Sequence, residues 1–438
     1  MRASAKTDEE IARARDRMRV HHARRSNRRL LVTLLLVGPG ILTMLGENDG
    51  PSMISYVATG AAYGNSVFVP IVMLTFAMAY VVQEAAMRVG IATQRGHAEL
   101  IRLRFGGTWA ALSLADLLAG NVLTLVAEFV AICSGAAFLG VPRPLAVSIA
   151  LCVIAAAFAT RRYFTWERFA LVLALGNLLF LPVALRAYPN SHAVGAAISG
   201  WQSVPQHAGL AFFTLVLANI GATVTPWMIF FQQGAVVDKG LAQSDLRHAR
   251  FDTAAGAVLA AVIAVATLAI GAVLHAHRVD QNALRTSADF AAALLPYIGR
   301  HASTLFAVAM IEAGLTATVT ISASSGYAAA ELFGSGKSLN RRFADGPLFY
   351  GIIFCSLGVA AAVVLVPGAP LFSLAIFANV AATVFMAPTL IFLLLLTRDR
   401  GIMGSLVNTR AKTVLVAAVT IAVGALSLFY GILAALQR

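Results

Sequence analysis

LTMLGENDGPSMISY, residues 42–56, places two carboxylates (Glu47 and Asp49), an asparagine and a Gly-Pro pair inside a run whose flanks are apolar. An ionisable group at bilayer depth costs several kcal/mol, and Gly-Pro interrupts a helix where lipid offers no replacement hydrogen bonds. Both costs need compensation, and the rest of the chain indicates what supplies it.

The 438 residues are 59% hydrophobic and 12% charged, which marks a membrane protein before any motif is read. Apolar runs long enough for a ~30 Å hydrocarbon core number about eleven, near 30–58, 66–92, 108–138, 143–160, 167–186, 207–237, 253–276, 301–332, 346–366, 369–397 and 411–436. The expectation is an all-α integral membrane protein. Of the 33 Lys and Arg residues, 27 fall in alternate connecting segments, 10 of them within residues 1–29. The positive-inside rule makes that side cytoplasmic, so the N-terminus is expected inside and the C-terminus outside a cell inner or plasma membrane. The same asymmetry explains the net charge of +13, which faces anionic lipid headgroups rather than nucleic acid.

The basic head is too long for a signal peptide, and no small-residue cleavage site follows it. Thr7-Asp8-Glu9-Glu10 opens either a short surface helix through Arg19 or a disordered basic tail. Cys133, Cys152 and Cys355 lie within spans, where packing rather than a disulfide or metal framework is their expected role. No loop carries a catalytic constellation, so neither an enzyme nor a cofactor is expected. The oligomeric state is not set by the sequence.

A second interruption occurs in LANIGATVTPWMIFFQQGAVVDKG, residues 217–240, where Gly221-Ala222-Thr223 and Pro226 break the sixth span. The two breaks open successive sets of five spans. Because five is odd, the second set enters the membrane from the opposite side, the signature of an inverted repeat. The expected organisation is a cytoplasmic segment 1–29, five-helix repeats over 30–186 and 207–397, and an eleventh helix over 411–438. Unwound backbone at mid-membrane is tolerated where it lines a binding site. An ordinary kink at Pro226 beside an ordinary buried acid is the competing reading, and the matched positions of the two breaks weigh against it.

Residues 38–64 (GPGILTMLGENDGPSMISYVATGAAYG), 83–96 (QEAAMRVGIATQRG), 220–237 (IGATVTPWMIFFQQGAVV), 305–319 (LFAVAMIEAGLTATV) and 387–404 (APTLIFLLLLTRDRGIMG) together resemble the Nramp family of divalent metal transporters. The resemblance implies a LeuT-type fold with broken helices 1 and 6 and a divalent metal ion as substrate. The departures are equally informative. Where the family has Asp-Pro-Gly-Asn, this chain has Asp49-Gly50-Pro51-Ser52; where it has Met-Pro-His, this chain has Thr225-Pro226-Trp227, and a further family histidine is Gln232.

A methionine thioether favours softer transition metals over magnesium and calcium, and Thr225 removes that discrimination. The resemblance then leaves an oxygen-only metal set of Asp49, Ser52, Thr225, Asn48 and the carbonyls near Gly46 and Ala222. Such a sparse, hard site suits Mg²⁺, which keeps several waters. Histidine is the natural proton carrier near neutral pH, and neither Trp227 nor Gln232 replaces it. The pattern resembles the branch known as Nramp-related magnesium transporters.

Asn121, Thr124 and Glu128 share one helix face. Glu128 matches a family acid, leaving open a vestigial proton site, a residue behind the metal ligands or a structural acid. Glu312, Thr316 and Thr320 form another stripe, where Glu312 either contacts the waters of a hydrated ion or pairs with a neighbour. Asn379 lies near a polar family position facing the metal. The expected activity is import of Mg²⁺, and also Mn²⁺, by alternating access without proton coupling. A proton-coupled Mn²⁺ or Fe²⁺ carrier is the alternative. An amino-acid or organic-cation carrier, with Asp49 pairing an amine, is a third reading.

Overall fold

A computed structural model describes residues 35–436 apart from 66, 161, 188–208, 285, 336–337 and 341–342, together with Met18 and His22. Most of the basic segment and its expected surface helix therefore lie outside the described residues. Those described form helices α1 (Pro39–Gly46), α2 (Gly50–Tyr63), α3 (Phe68–Thr93), α4 (His97–Phe105), α5 (Gly107–Phe138), α6 (Arg143–Phe158), α7 (Tyr163–Ala174) and α8 (Phe180–Ala187). After them come α9 (Leu210–Gly221), α10 (Pro226–Lys239), α11 (Leu246–Ala276), α12 (Ser287–Ile298), α13 (Arg300–Phe333), α14 (Pro347–Leu365), α15 (Leu371–Arg398), α16 (Arg400–Met403) and α17 (Arg410–Leu436).

Both sequence breaks are present. Residues 47–49 separate α1 from α2, and residues 222–225 separate α9 from α10. Among the described residues, 9 segments are long and apolar enough to span a membrane. The split α1–α2 pair and the shorter α6 stand alongside them in chain order. The first span runs further than its pattern suggests: α2 reaches Tyr63, where Gly64 at φ 68 ends it. The stretch 277–300, between the spans expected near 253–276 and 301–332, contains α12, whose start is capped by the Thr286 hydroxyl accepting from the Asp289 amide at 3.2 Å. A 3₁₀ turn, Leu175–Leu179, interrupts the fifth span between α7 and α8.

Each restart has a local cause. Asp49 is extended (φ −81°, ψ 174°) and its carboxylate accepts the Ser52 amide at 2.8 Å, an N-cap followed by Pro51 in the first turn. Thr225 is likewise extended before Pro226. Close helix approach then fixes the two halves on their neighbours. A Cβ on Gly60 would strike the Leu268 carbonyl, and one on Gly271 would strike that of Val57, so α2 and α11 meet at a small-residue crossing.

The Lys239 side of the bundle, expected to face the cytoplasm, holds α1 by polar contacts. The Asp252 carboxylate accepts the amides of Gly38, Gly40 and Ile41 at 3.1, 2.7 and 3.2 Å, meeting the positive end of the α1 dipole. Lys239 pairs with Glu167 at 2.8 Å, both buried, and donates to the Val37 carbonyl at 3.0 Å.

Candidate metal site

The first break gathers more carboxylates than the sequence set of ligands contained. Glu47, Asn48 and Asp49 are buried with it. Glu128 reaches across from α5: one oxygen accepts the amide of Gly50, the residue after Asp49, at 2.9 Å. Glu47, two residues before Asp49, accepts the Thr225 hydroxyl at 2.5 Å. That bond joins the two breaks directly. Glu47 lines the same break, and its place inside that break was the signal for it; among the acids the family resemblance pointed to Asp49 and Glu128.

Glu47, Asp49 and Glu128 are all buried, and buried acids need hydrogen-bond donors or a counter-charge to offset their lost hydration. Several polar atoms here have no protein partner: Glu47 Oε2, Asn48 Oδ1, Ser52 Oγ and Glu128 Oε1. Every one is an oxygen. Among the described residues no group of three His, Cys, Asp or Glu side chains is placed to hold a metal ion by itself, so an ion here takes hydroxyl, amide and carbonyl oxygens or waters as well.

The exchanged Gly-Pro order has a steric reason. A Cβ at position 50 would collide with the Ala131 methyl and come within 3.0 Å of Glu128 Oε2. Glycine at 50 lets α5 approach, and proline moves one place along, where the first turn tolerates its missing N–H.

The other sequence-named residues divide into two groups. Gly46 lies at the break with Trp227 against it, since a Cβ there would sit 3.0 Å from the indole edge and 3.3 Å from Thr320 Oγ1. Trp227 is buried with an unpartnered Nε1, a wall rather than a ligand. The Ala222 carbonyl receives the Tyr56 hydroxyl at 3.3 Å. Gln232 is engaged at the α1–α10 contact, where it accepts the Thr43 hydroxyl at 2.5 Å.

Three further residues make contacts between spans. Asn121 donates to the Ser324 and Ser325 hydroxyls at 2.9 and 2.8 Å, tying α5 to α13. Asn379 donates to Ser55 Oγ at 2.9 Å, tying α15 to α2. Glu312 accepts the Thr316 hydroxyl at 2.6 Å and lies against Gly176 in the 3₁₀ turn.

Broken helices in inverted positions around a buried oxygen-lined centre define a LeuT-type membrane transporter fold. Residues 40–432 match the family model "Natural resistance-associated macrophage protein-like", and the chain belongs to the Nramp family. It is 29% identical over 305 residues to a divalent metal cation transporter MntH of Xylella fastidiosa, covering 66% of this chain and 62% of that protein. The chain thus spans less than two thirds of that relative's length. A MntH of Deinococcus radiodurans is 28% identical over 418 residues, covering 87% and 86%.

Among solved structures, an Eremococcus coleocola manganese transporter mutant superposes with a TM-score of 0.72 at 19% identity, covering 91% of this chain and 86% of that one. MhsT in complex with L-phenylalanine superposes at 0.61 with 13% identity, covering 90% and 98%. At these identities the likeness concerns the fold.

Proposed function

We propose that this protein carries divalent metal cations across the membrane by alternating access, preferring Mg²⁺ and also passing Mn²⁺, inward and without proton coupling. The observation that carries this reading is the lining of the joined breaks: Glu47, Asp49 and Glu128 with Ser52, Asn48 and Thr225, all oxygen donors, with a threonine where the family has methionine. Hard oxygen ligands suit Mg²⁺, and a threonine in place of the soft ligand removes preference for later transition metals. The names borne by the MntH relatives support the divalent-cation class.

The uncoupled reading draws on Trp227 and Gln232, which stand where the family has histidines and are engaged in packing and in a bond to Thr43. An inside-negative potential of 100 mV supplies about 4.6 kcal/mol to a dication, twice the single-charge figure, so entry needs no proton. Purified protein in liposomes, recorded for Mg²⁺ uptake and internal pH together, tests this. Mg²⁺ entry without acidification, abolished by Asp49→Ala, is expected. Acidification that tracks Mn²⁺ entry with Mg²⁺ excluded would establish the proton-coupled alternative instead.

A further inference from the structure

A groove between α3, α8 and α11 lies outside the metal site. It holds about 750 Å³, and its walls are apolar side chains, among them Met73, Phe76, Leu185, Val258 and Val262. Met73, Leu185, Val258 and Val262 are 49%, 67%, 67% and 50% exposed, so the groove opens on the surface that a bilayer covers. Along α11 the lining runs from Ala254 to Ala269, roughly 22 Å at 1.5 Å per residue. One leaflet supplies half of the ~30 Å hydrocarbon core, so this length accepts a whole acyl chain.

One end of the groove is charged. Tyr80 on α3 and Ala254 on α11 line it; one turn beyond them, on the same two helices, stand Glu84 and Arg250, which pair at 2.9 Å. Lys412, in the first turn of α17, meets the same Glu84 oxygen at 2.8 Å, and Arg88 holds the other at 3.1 Å. Three cations thus share one carboxylate.

Their surroundings differ. Arg88 is buried and also donates to the Leu406 carbonyl and to Asn408 Oδ1, at 2.7 and 2.6 Å, which makes it the internal partner of Glu84. Arg250 and Lys412 are 40% and 36% exposed, and the exposed Arg247 precedes Arg250 by one turn. The acids flanking Arg250 in sequence are turned elsewhere: Asp245 accepts the Ala242 amide at 2.9 Å, and Asp252 accepts the amides of α1. This end of the groove keeps an excess of positive charge, to which a phosphate offers charge-assisted hydrogen bonds. With 31 residues, α11 is roughly 46 Å long against a core of ~30 Å. Its first turns therefore stand at headgroup level, where basic side chains attract anionic lipid.

We infer that the groove is a binding site for an anionic phospholipid of the leaflet on the Lys239 side, with one acyl chain along α3, α8 and α11 and the phosphate on Arg250 and Lys412. The inference stands independently of the proposed Mg²⁺ transport.

Native mass spectrometry of the purified, delipidated full chain, titrated separately with phosphatidylglycerol and with phosphatidylcholine of the same acyl chains, tests it. One phosphatidylglycerol is expected to bind at least tenfold more tightly than phosphatidylcholine. Arg250→Gln combined with Lys412→Gln should weaken phosphatidylglycerol at least tenfold and leave phosphatidylcholine unchanged. Ala261→Phe, which fills the groove, should weaken both; monodisperse elution of each variant verifies folding.

Equal affinity for the two lipids would overturn the site, as would undiminished phosphatidylglycerol binding in the double variant or in Ala261→Phe. Displacement of phosphatidylglycerol by inorganic phosphate at comparable concentration would reassign the cations to a free anion. A dimer of the delipidated protein that Ala261→Phe dissociates would make a second copy the occupant in place of lipid. Because lipid binding is read without transport, failure of Mg²⁺ uptake and failure of this site register separately.

Discussion

Thr225 is where a one-residue change bears on ion choice. Its hydroxyl is committed to Glu47, so Thr225→Met both introduces a thioether and frees a carboxylate oxygen. Selectivity should move toward Mn²⁺ or Cd²⁺ by about tenfold, near 1.4 kcal/mol, read as competition of each ion against Mg²⁺ uptake; unchanged selectivity would refute the role given to ligand softness. Gly50 offers a second test at the same scale. Restoring the family order with G50P/P51G puts ring carbons against Ala131. Overpacking of this kind costs roughly 1–3 kcal/mol, so the double variant should melt several degrees lower, and adding Ala131→Gly should recover much of the loss.

The elements themselves were legible where chemistry and hydrophobicity conflict. Acids, Gly and Pro inside apolar runs announced both breaks, and their matched positions announced the repeat. The 3₁₀ turn was not legible, because Leu-Gly-Asn-Leu-Leu carries only a Gly-Asn pair within an unbroken apolar stretch. Nor were the partners of Asn121 and Asn379, since a polar residue on a helix face gives no sign of which neighbouring helix will meet it. Their hydrogen bonds join helices, Asn121 to α13 and Asn379 to α2, with the Asn379 carbonyl against Gly221 at the second break.

Two elements carry predictions of their own. Asp252→Asn removes the charge from the clamp on α1 and one of its acceptor oxygens. Charge-assisted bonds contribute about 1.5–3 kcal/mol, enough to raise the labelling rate of a cysteine placed at Thr43 by tenfold or more. On α4, His97 is fully buried, donates through Nδ1 to Gln233 Oε1 at 3.2 Å, and has its pKa lowered by burial to about 4. The unfolded chain therefore binds a proton that the folded one refuses between about pH 6.5 and 4. Stability is full above 6.5 and is lost progressively as pH falls toward 4, by up to about 3 kcal/mol. In His97→Gln the acid slope of the melting temperature over that window should flatten.

For the molecule as a whole, the distribution of charge sets the direction of work. The basic residues concentrated on one side give the expected orientation, and the acids at the break line the path proposed for a dication. If a dication alone moves, its current must obey a two-charge equilibrium. The reversal potential in a planar bilayer or fused-liposome recording should then shift by about 30 mV for each tenfold Mg²⁺ gradient. It should not move when pH is changed on one side. A coupled proton would raise the transported charge to three, reduce the shift per tenfold Mg²⁺ to about 20 mV, and add a dependence on the pH gradient of similar size. The two slopes differ by more than such recordings scatter, so the stoichiometry of the cycle can be read from the potential at which it stops. Glu128→Gln belongs in the same experiment: if Glu128 serves only to hold the Gly50 amide, the variant should lower the current while leaving the 30 mV slope intact, and a slope that changes would make Glu128 a carrier of protons.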